Sequence, residues 1–464
     1  MKPVRLTALV IAIGAAFPAA AQSNEELLKE LRALRDRVGE LEKKLAAQPA
    51  AAPAPQPGQW GMTPEQAQEL ARIGTKAEAL QDNFEMQGFK GLKISGQINP
   101  TWIYNRRADD ASFVLLNGED ARYTYDNSYF GMAVLDFLKE TEGGTIWHLT
   151  LAPERGTGAL TNGGSIVHEA SVSVPLNDLQ TRLWVGQIPD WTGYEITLPA
   201  GNKLITHNLL FDFMAPTAYT GAVLDHTSGK WWSRIGLANF NTPRNGSGNK
   251  RPVLIYRVDY SKGEFSGWGF TGLHGKGYNY AADDTDDAGN ALFPNDVGRN
   301  TQVHLLEIDG YFVRGDWSLF GQASYGQQKK AAIYRDDGTL RNARWWGLSG
   351  TAAYMITPRL EAVLRADYVN NEKNGGGLLG YSWDDGANGI GRGFGSDGSY
   401  SDGADKGANR YALSVGANYR YDENTLFKLE YRFDAASQPV FEDVKDGGYA
   451  KNNHLLGASV VVSF

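Results

Sequence analysis

The chain is 464 residues long, 42% hydrophobic, 21% charged and 11% aromatic, with a formal net charge of −8 and no cysteine. A mean hydropathy of −0.39 excludes a bundle of membrane helices, and the aromatic content argues against wholesale disorder. The lack of cysteine removes disulfides, thiol catalysis, cysteine zinc sites and a lipoprotein anchor, and the acidic balance leaves no footprint for nucleic acid.

Residues 1–21 read as a secretory signal peptide. Lys2 and Arg5 form the positive region, Leu6 to Gly14 the apolar core, and Ala19 to Ala21 the small residues of a cleavage site. Over 22–47, Ser23 and Glu26 form a capping box, and Leu27, Leu31, Leu34, Val38, Leu41 and Leu45 recur in steps of four and three. That spacing predicts a periplasmic coiled-coil helix, too short to be stable alone in water. Residues 48–62 are an Ala/Pro-rich linker with Pro49, Pro53, Pro55 and Pro57. A second helix is expected over 63–87, opening at Thr63-Pro64 with Leu70, Ile73, Ala77, Leu80 and Phe84 on one face.

From 88 to 464 the period becomes two. In Arg410 to Tyr421 one face is Tyr411, Leu413, Val415, Ala417, Tyr419 and Tyr421, and the other is Arg410, Ala412, Ser414, Gly416, Asn418 and Arg420. Segments starting at Arg359, Phe427 and Leu456 alternate in the same way. Short connections at 142–144, 175–178, 227–230, 262–264, 314–316, 357–358 and 422–424 interleave with long polar loops at 106–127, 189–216, 276–300, 370–409 and 435–452. Aromatics such as Trp231, Trp232, Trp317, Trp345, Trp346, Tyr419 and Tyr421 sit at strand ends. Short turns, long loops and aromatic girdles describe an all-β transmembrane protein, an antiparallel up-and-down β-barrel of about 16 strands. Leu209 to Phe213 could add a strand to that count.

The chain resembles the outer-membrane porins, in particular those with an N-terminal periplasmic coiled coil, and the resemblance covers its whole architecture. Phe464, behind Val460 and Val462, resembles the terminal signal that barrel-assembly machinery reads in that family, although Val462 stands where an aromatic is common. The resemblance implies a homotrimer in the outer membrane of a Gram-negative cell, among lipid and lipopolysaccharide. It also implies a third external loop folded inward to narrow the pore. By strand count that loop is Pro189 to Pro216, so Asp190, Trp191, Tyr194, Glu195, Lys203, His207 and Asp212 are the constriction candidates. The alternative for each is packing of the loop on the wall.

The alternation turns Arg182, Arg234, Arg257, Arg359, Arg365, Arg410, Arg420, Lys428 and Arg432 inward, with Asp136, Glu169, Asp259, Glu307, Asp309, Glu361, Asp367 and Glu430 against them. Near balance gives no sign of selectivity. Arg365, Arg410, Arg420 and Arg432 do make a local basic wall, which points to anionic solutes such as carboxylates; salt bridging to Glu361, Asp367 and Glu430 competes with that reading. Acidic loop runs, Asp283 to Asp287 and Asp384-Asp385 among them, suit either solvation or cation bridging to lipopolysaccharide.

No metal, cofactor or catalytic constellation stands out. The seven histidines show no metal-binding spacing, and the glycines at 389–393 lie outside a strand-to-helix context. The function expected is passive diffusion of small hydrophilic solutes, without enzyme chemistry. A structural envelope tether and a secreted carbohydrate-binding β-protein are the alternatives.

Overall fold

Alternating apolar and polar residues have one stable arrangement when the apolar side faces outward: a sheet that closes on itself and leaves no edge unpaired. The computed structural model of the chain describes residues 35–36, 72–76, 89–116, 130–153, 166–242, 244–245, 249–279, 300–334, 340–371, 393 and 407–464. Residues 35–36 and 72–76 are helical. The rest of the expected signal peptide, coiled coil, linker and second helix lies outside the described residues, as do the acidic runs at 283–287 and 384–385.

The strands are β1 (Leu92–Ile98), β2 (Thr101–Asn105), β3 (Asp110–Val114), β4 (Ala133–Glu140), β5 (Ile146–Leu151), β6 (Val167–Pro175), β7 (Thr181–Pro189), β8 (Ala218–Ser228), β9 (Trp231–Phe240) and β10 (Val253–Ser261). They continue as β11 (Ser266–Tyr278), β12 (Asn300–Arg314), β13 (Trp317–Tyr334), β14 (Leu340–Thr357), β15 (Leu360–Asn370), β16 (Arg410–Arg420) and β17 (Thr425–Ala436). A small hairpin, β18 (Phe441–Asp443) and β19 (Gly448–Ala450), precedes β20 (Asn452–Ser463). A 3-10 turn (Pro199–Gly201) and an α-helix, α1 (Leu209–Met214), lie between β7 and β8.

Eighteen of these segments form one antiparallel sheet. β1 and β2 are two halves of one strand, interrupted at Asn99-Pro100, because both pair with β20. β3 and β4 are likewise the two halves of its neighbour, pairing with β2 and β1. The sheet is therefore a closed ring of sixteen strands. The expected single loop at 106–127 is instead a tight hairpin into β3 followed by a second excursion before β4. Connections at 152–166 and 241–252, which the sequence did not mark as loops, join β5 to β6 and β9 to β10. Each expected short connection lies between the strands it was expected to join. Ser228-Gly229-Lys230-Trp231 and Arg314-Gly315-Asp316-Trp317 turn in two residues, with both glycines at φ 58°, a left-handed conformation that a side chain would strain. At the turns 178–181 and 422–425, backbone N–H groups of Thr181 and Asn424 donate to Asp178 and Asp422 and hold those carboxyls below their ordinary range.

The seam is closed at the C-terminus. Phe464 and Gly96 exchange backbone hydrogen bonds of 3.0 and 3.2 Å, and the Phe464 ring lies where a Cβ on residue 96 would stand. Around the ring the outward face is apolar and half-exposed, with Leu364, Leu413, Val415 and Leu429 between 46% and 52%. The inward neighbours on the same strands, Arg365, Arg410, Glu430 and Arg432, are at 0%. This is the reverse of a soluble β-protein, whose apolar face would be hidden.

Candidate functional site

The chain between β7 and β8, the fifth and sixth strands of the ring, does not stay outside. It hydrogen-bonds to β14 through β17, the twelfth to fifteenth strands, and Ala200 reaches Gln97 on β1. A segment leaving one wall can bond the opposite wall only by crossing the interior. Leu209 to Phe213, which the sequence left as a possible strand, is the helix α1, capped by the Asn208 side chain accepting from the N–H groups of Leu210 and Phe211.

Two kinds of contact hold this segment. The first is apolar. Leu209, Leu210, Phe213 and Met214 belong to one buried apolar cluster with inward-facing Val253, Ile255, Leu273, Val303, Leu305 and Trp345. Leu198 and Phe211 pack on Met132, Val134 and Ala152 at the near wall. The wall makes room with glycine: a Cβ on residue 347 would meet Met214 Sδ at 2.8 Å, and one on residue 416 would meet Leu204 Cδ2 at 2.4 Å.

The second is ionic. Arg365 donates to Glu195 (3.0 Å), Asp367 (3.1 Å) and the carbonyls of Thr206 (2.6 Å) and His207 (2.8 Å). Arg432 donates to both oxygens of Asp434, to Thr206 Oγ1 and to the His207 carbonyl. Glu430 accepts from the N–H groups of Ile205 and Thr206 and from the Thr206 hydroxyl, at 2.7 to 2.8 Å. Lys428 donates to the carbonyls of Pro199 and Asn202, each at 2.6 Å. Cross-strand register explains the convergence: Arg365 pairs with Ser414, and Ser414 with Arg432, on adjacent inward positions.

A second cluster holds the start of the segment. Arg257 donates to Asp259, to Asp309 and to the Trp191 carbonyl at 2.6 Å. Glu307 accepts from the Gly193 N–H at 3.2 Å. Arg234 pairs with Asp225 at 2.9 Å and lies 4.0 Å above the Trp232 ring.

The seven loop candidates are therefore placed as follows. Asp190 accepts from the Thr192 N–H and hydroxyl, and Trp191 Nε1 donates to Thr271. The Tyr194 hydroxyl sits between Ser349 and Thr351. Glu195 is buried on Arg365, His207 stacks on Phe211 with centroids 3.9 Å apart, and Asp212 is fully buried in α1. Lys203 bonds Glu361 at 2.5 Å and keeps its side chain 33% exposed.

Of the wall charges, Arg234, Arg257, Glu307, Asp309, Glu361, Arg365, Asp367, Arg410, Lys428, Glu430 and Arg432 are buried on the inward face. Arg182 is half-buried and donates to Ser173 and to the Gly144 carbonyl. Arg359 and Arg420 are exposed at the short-turn end, where the Arg420 N–H donates to the Arg359 carbonyl.

Asp225, Asp434 and His148 were not singled out in the sequence. His148 bridges Asp136 (2.8 Å) and Glu169 (3.0 Å) on β4 and β6. It alternates with outward Trp147 and Leu149, the one signal that could have found it. With side-chain exposures of 21% for His148 and 25% for Asp136, this group meets solvent where the ionic clusters under the loop do not.

The model of a family described as a protein of unknown function (DUF3138) matches residues 61–464. No curated protein matches. Among solved structures, OmpT from Vibrio cholerae in its trimer form is 10% identical over 80% of this chain and 99% of that one, with a TM-score of 0.49. An anion-selective porin from Comamonas acidovorans is 12% identical over 80% and 99%, with a TM-score of 0.49. OprB from Pseudomonas putida is 12% identical over 84% and 96%, with a TM-score of 0.48.

Proposed function

We propose that this chain, which belongs to the DUF3138 family of proteins of unknown function, is an outer-membrane porin. It passes small hydrophilic solutes by passive diffusion, works as a homotrimer, and performs no covalent chemistry. The observation that carries the reading is the combination of a closed sixteen-strand ring, an apolar outside, a charged inside and one connection folded across the interior. A ring of this size encloses an aqueous channel unless something fills it, and the segment 190–216 narrows it.

Solutes meet only what that segment leaves exposed. Lys203 with Glu361 on one side and Asp136 with His148 on the other are the pore-lining charges of this reading. Arg365, Arg410 and Arg432 are buried and paired with acids. Their part in admitting anionic solutes such as carboxylates would be through the field of the wall, not through contact. Planar-bilayer recording of purified protein under a salt gradient tests the proposal. Stepwise conductance in groups of three is expected, and the reversal potential reads the sign of selectivity. A folded, inserted barrel with no conductance would overturn it.

A further inference from the structure

The outward face of β10 to β14 is banded. At the short-turn end, the Trp317 and Tyr354 rings lie tilted against each other with centroids 4.8 Å apart, beside Arg314. Above them lies an apolar zone containing Phe270, Ile308 and Leu348, between 36% and 49% exposed. Next comes an aromatic row in direct register, Tyr256 across Gly272 to Leu306, Tyr325 and Trp346. One step closer to the long loops, the register aligns His274, His304, Gln327 and Arg344 on the same face. Lys276 and Lys329, each two residues further along its strand, are exposed, as is Arg344. No Asp or Glu stands on the outward positions of β10 to β14.

The height of this polar row fits a membrane boundary. Along β12, Arg314 to His304 spans ten residues, roughly 33 Å of strand and about 23 Å of height at a tilt near 45°. That is the thickness of the apolar band of an outer-membrane barrel. The histidines are organised. His274 Nδ1 and His304 Nδ1 lie 3.0 Å apart, the Tyr256 hydroxyl is 3.1 Å from His274 Nε2, and the Gln302 amide nitrogen is 3.4 Å from His304 Nε2. This chain satisfies polar groups that hydrocarbon would penalise and leaves the three longer cations to face whatever lies above the aromatic row.

We propose that Lys276, Lys329 and Arg344, on the platform of His274 and His304, form a binding site for the phosphate of an anionic lipid head group in the leaflet at the long-loop end. This rests on the membrane-barrel reading above. Among the described residues no acid stands on the outward face beside these three cations, an arrangement that complements a phosphate, and their place just above an aromatic row puts them at head-group depth and not in bulk solvent.

The test is tryptophan quenching of the full-length protein in vesicles that mix phosphatidylcholine with brominated phosphatidic acid, against the same vesicles with brominated phosphatidylcholine. Wild type is expected to prefer the anionic lipid, and each of Lys276→Gln, Lys329→Gln and Arg344→Gln is expected to lower that preference by up to about five-fold at low ionic strength. Lys139→Gln, at the short-turn end, should leave it unchanged. Added inorganic phosphate should not compete, since the site takes a lipid-borne group; full competition would overturn the lipid assignment. Equal quenching by both lipids in the wild type would overturn the site while leaving the barrel reading intact. No quenching by either lipid would instead remove the membrane reading on which it rests.

Discussion

Arg365 and Glu195 are 170 positions apart in the chain and 3.0 Å apart in the barrel. One stands in the middle of β15 and the other on the segment that leaves β7, so their contact spans the interior. Around it the charges are closely balanced and almost every oxygen faces a donor. Buried ions cost several kcal/mol each to remove from water, and mutual pairing recovers that cost only when the set is complete. The interior is therefore better described as a loop latched onto a charged wall than as a wall of free arginines.

Arg365→Ala would leave Glu195 and Asp367 buried without their shared cation and free the Thr206 carbonyl, while Arg432 still holds that of His207. Breaking a buried pair in this way costs about 3–5 kcal/mol. The expected outcome is a lower urea midpoint for the folded barrel in lipid and a larger, noisier single-channel conductance. An unchanged midpoint and conductance would show that the latch does not hold the loop.

Gly416 has a steric part in the same latch. A side chain there would start 2.4 Å from Leu204 Cδ2, closer than packed atoms approach. Gly416→Leu should displace the loop near Leu204, and because the same Cβ would start 2.9 Å from the Leu429 carbonyl oxygen, it should also strain the β16–β17 ladder at that point. Protease cleavage within 198–208 should accelerate, with a smaller loss in the heat resistance of the barrel.

The ring was legible because its signal is local. Alternation in β15, β16, β17 and β20 and the short turns between strands depend on neighbours in sequence, and the outward faces follow from them. Two kinds of feature were not legible. α1 has six residues, all but Asp212 apolar, and such a run suits a strand or a helix equally until Asn208 is seen to cap it. The acids that complete the ion sets, Asp225 and Asp434, meet Arg234 and Arg410 across from the neighbouring strand, and those partners are fixed by register, which sequence spacing does not give. The burial of the inward charges under 190–216 depends on the path of a single connection.

Glu430 accepts three hydrogen bonds from Ile205 and Thr206. Glu430→Gln removes the charge and gives one of its two oxygens over to an amide that can only donate. Hydrogen bonds to a charged group contribute about 1.5–3 kcal/mol, so the local opening of this stretch should become easier by that order. Hydrogen exchange at the Ile205 and Thr206 amides should quicken by at least tenfold, with exchange in β16 and β17 unchanged. Equal exchange in both proteins would mean that the backbone turn, not the carboxylate, fixes the loop.

Lys203 differs from its neighbours in the loop. It reaches Glu361 at 2.5 Å, yet its side chain remains 33% exposed, so its charge is partly available to a passing ion. Lys203→Glu would reverse that charge and set it against Glu361. Two adjacent carboxylates facing the aqueous path raise the local concentration of cations and repel anions. The reversal potential under a salt gradient should move toward cation selectivity, and the shift should shrink as ionic strength rises, because a charge in contact with water is screened within about 10 Å at 0.1 M. Arg410→Gln, which alters a fully buried and paired charge, should move the potential much less. If Arg410→Gln shifted it as far as Lys203→Glu, the open path would have to run beneath the loop, along the β16 wall, and not past Lys203.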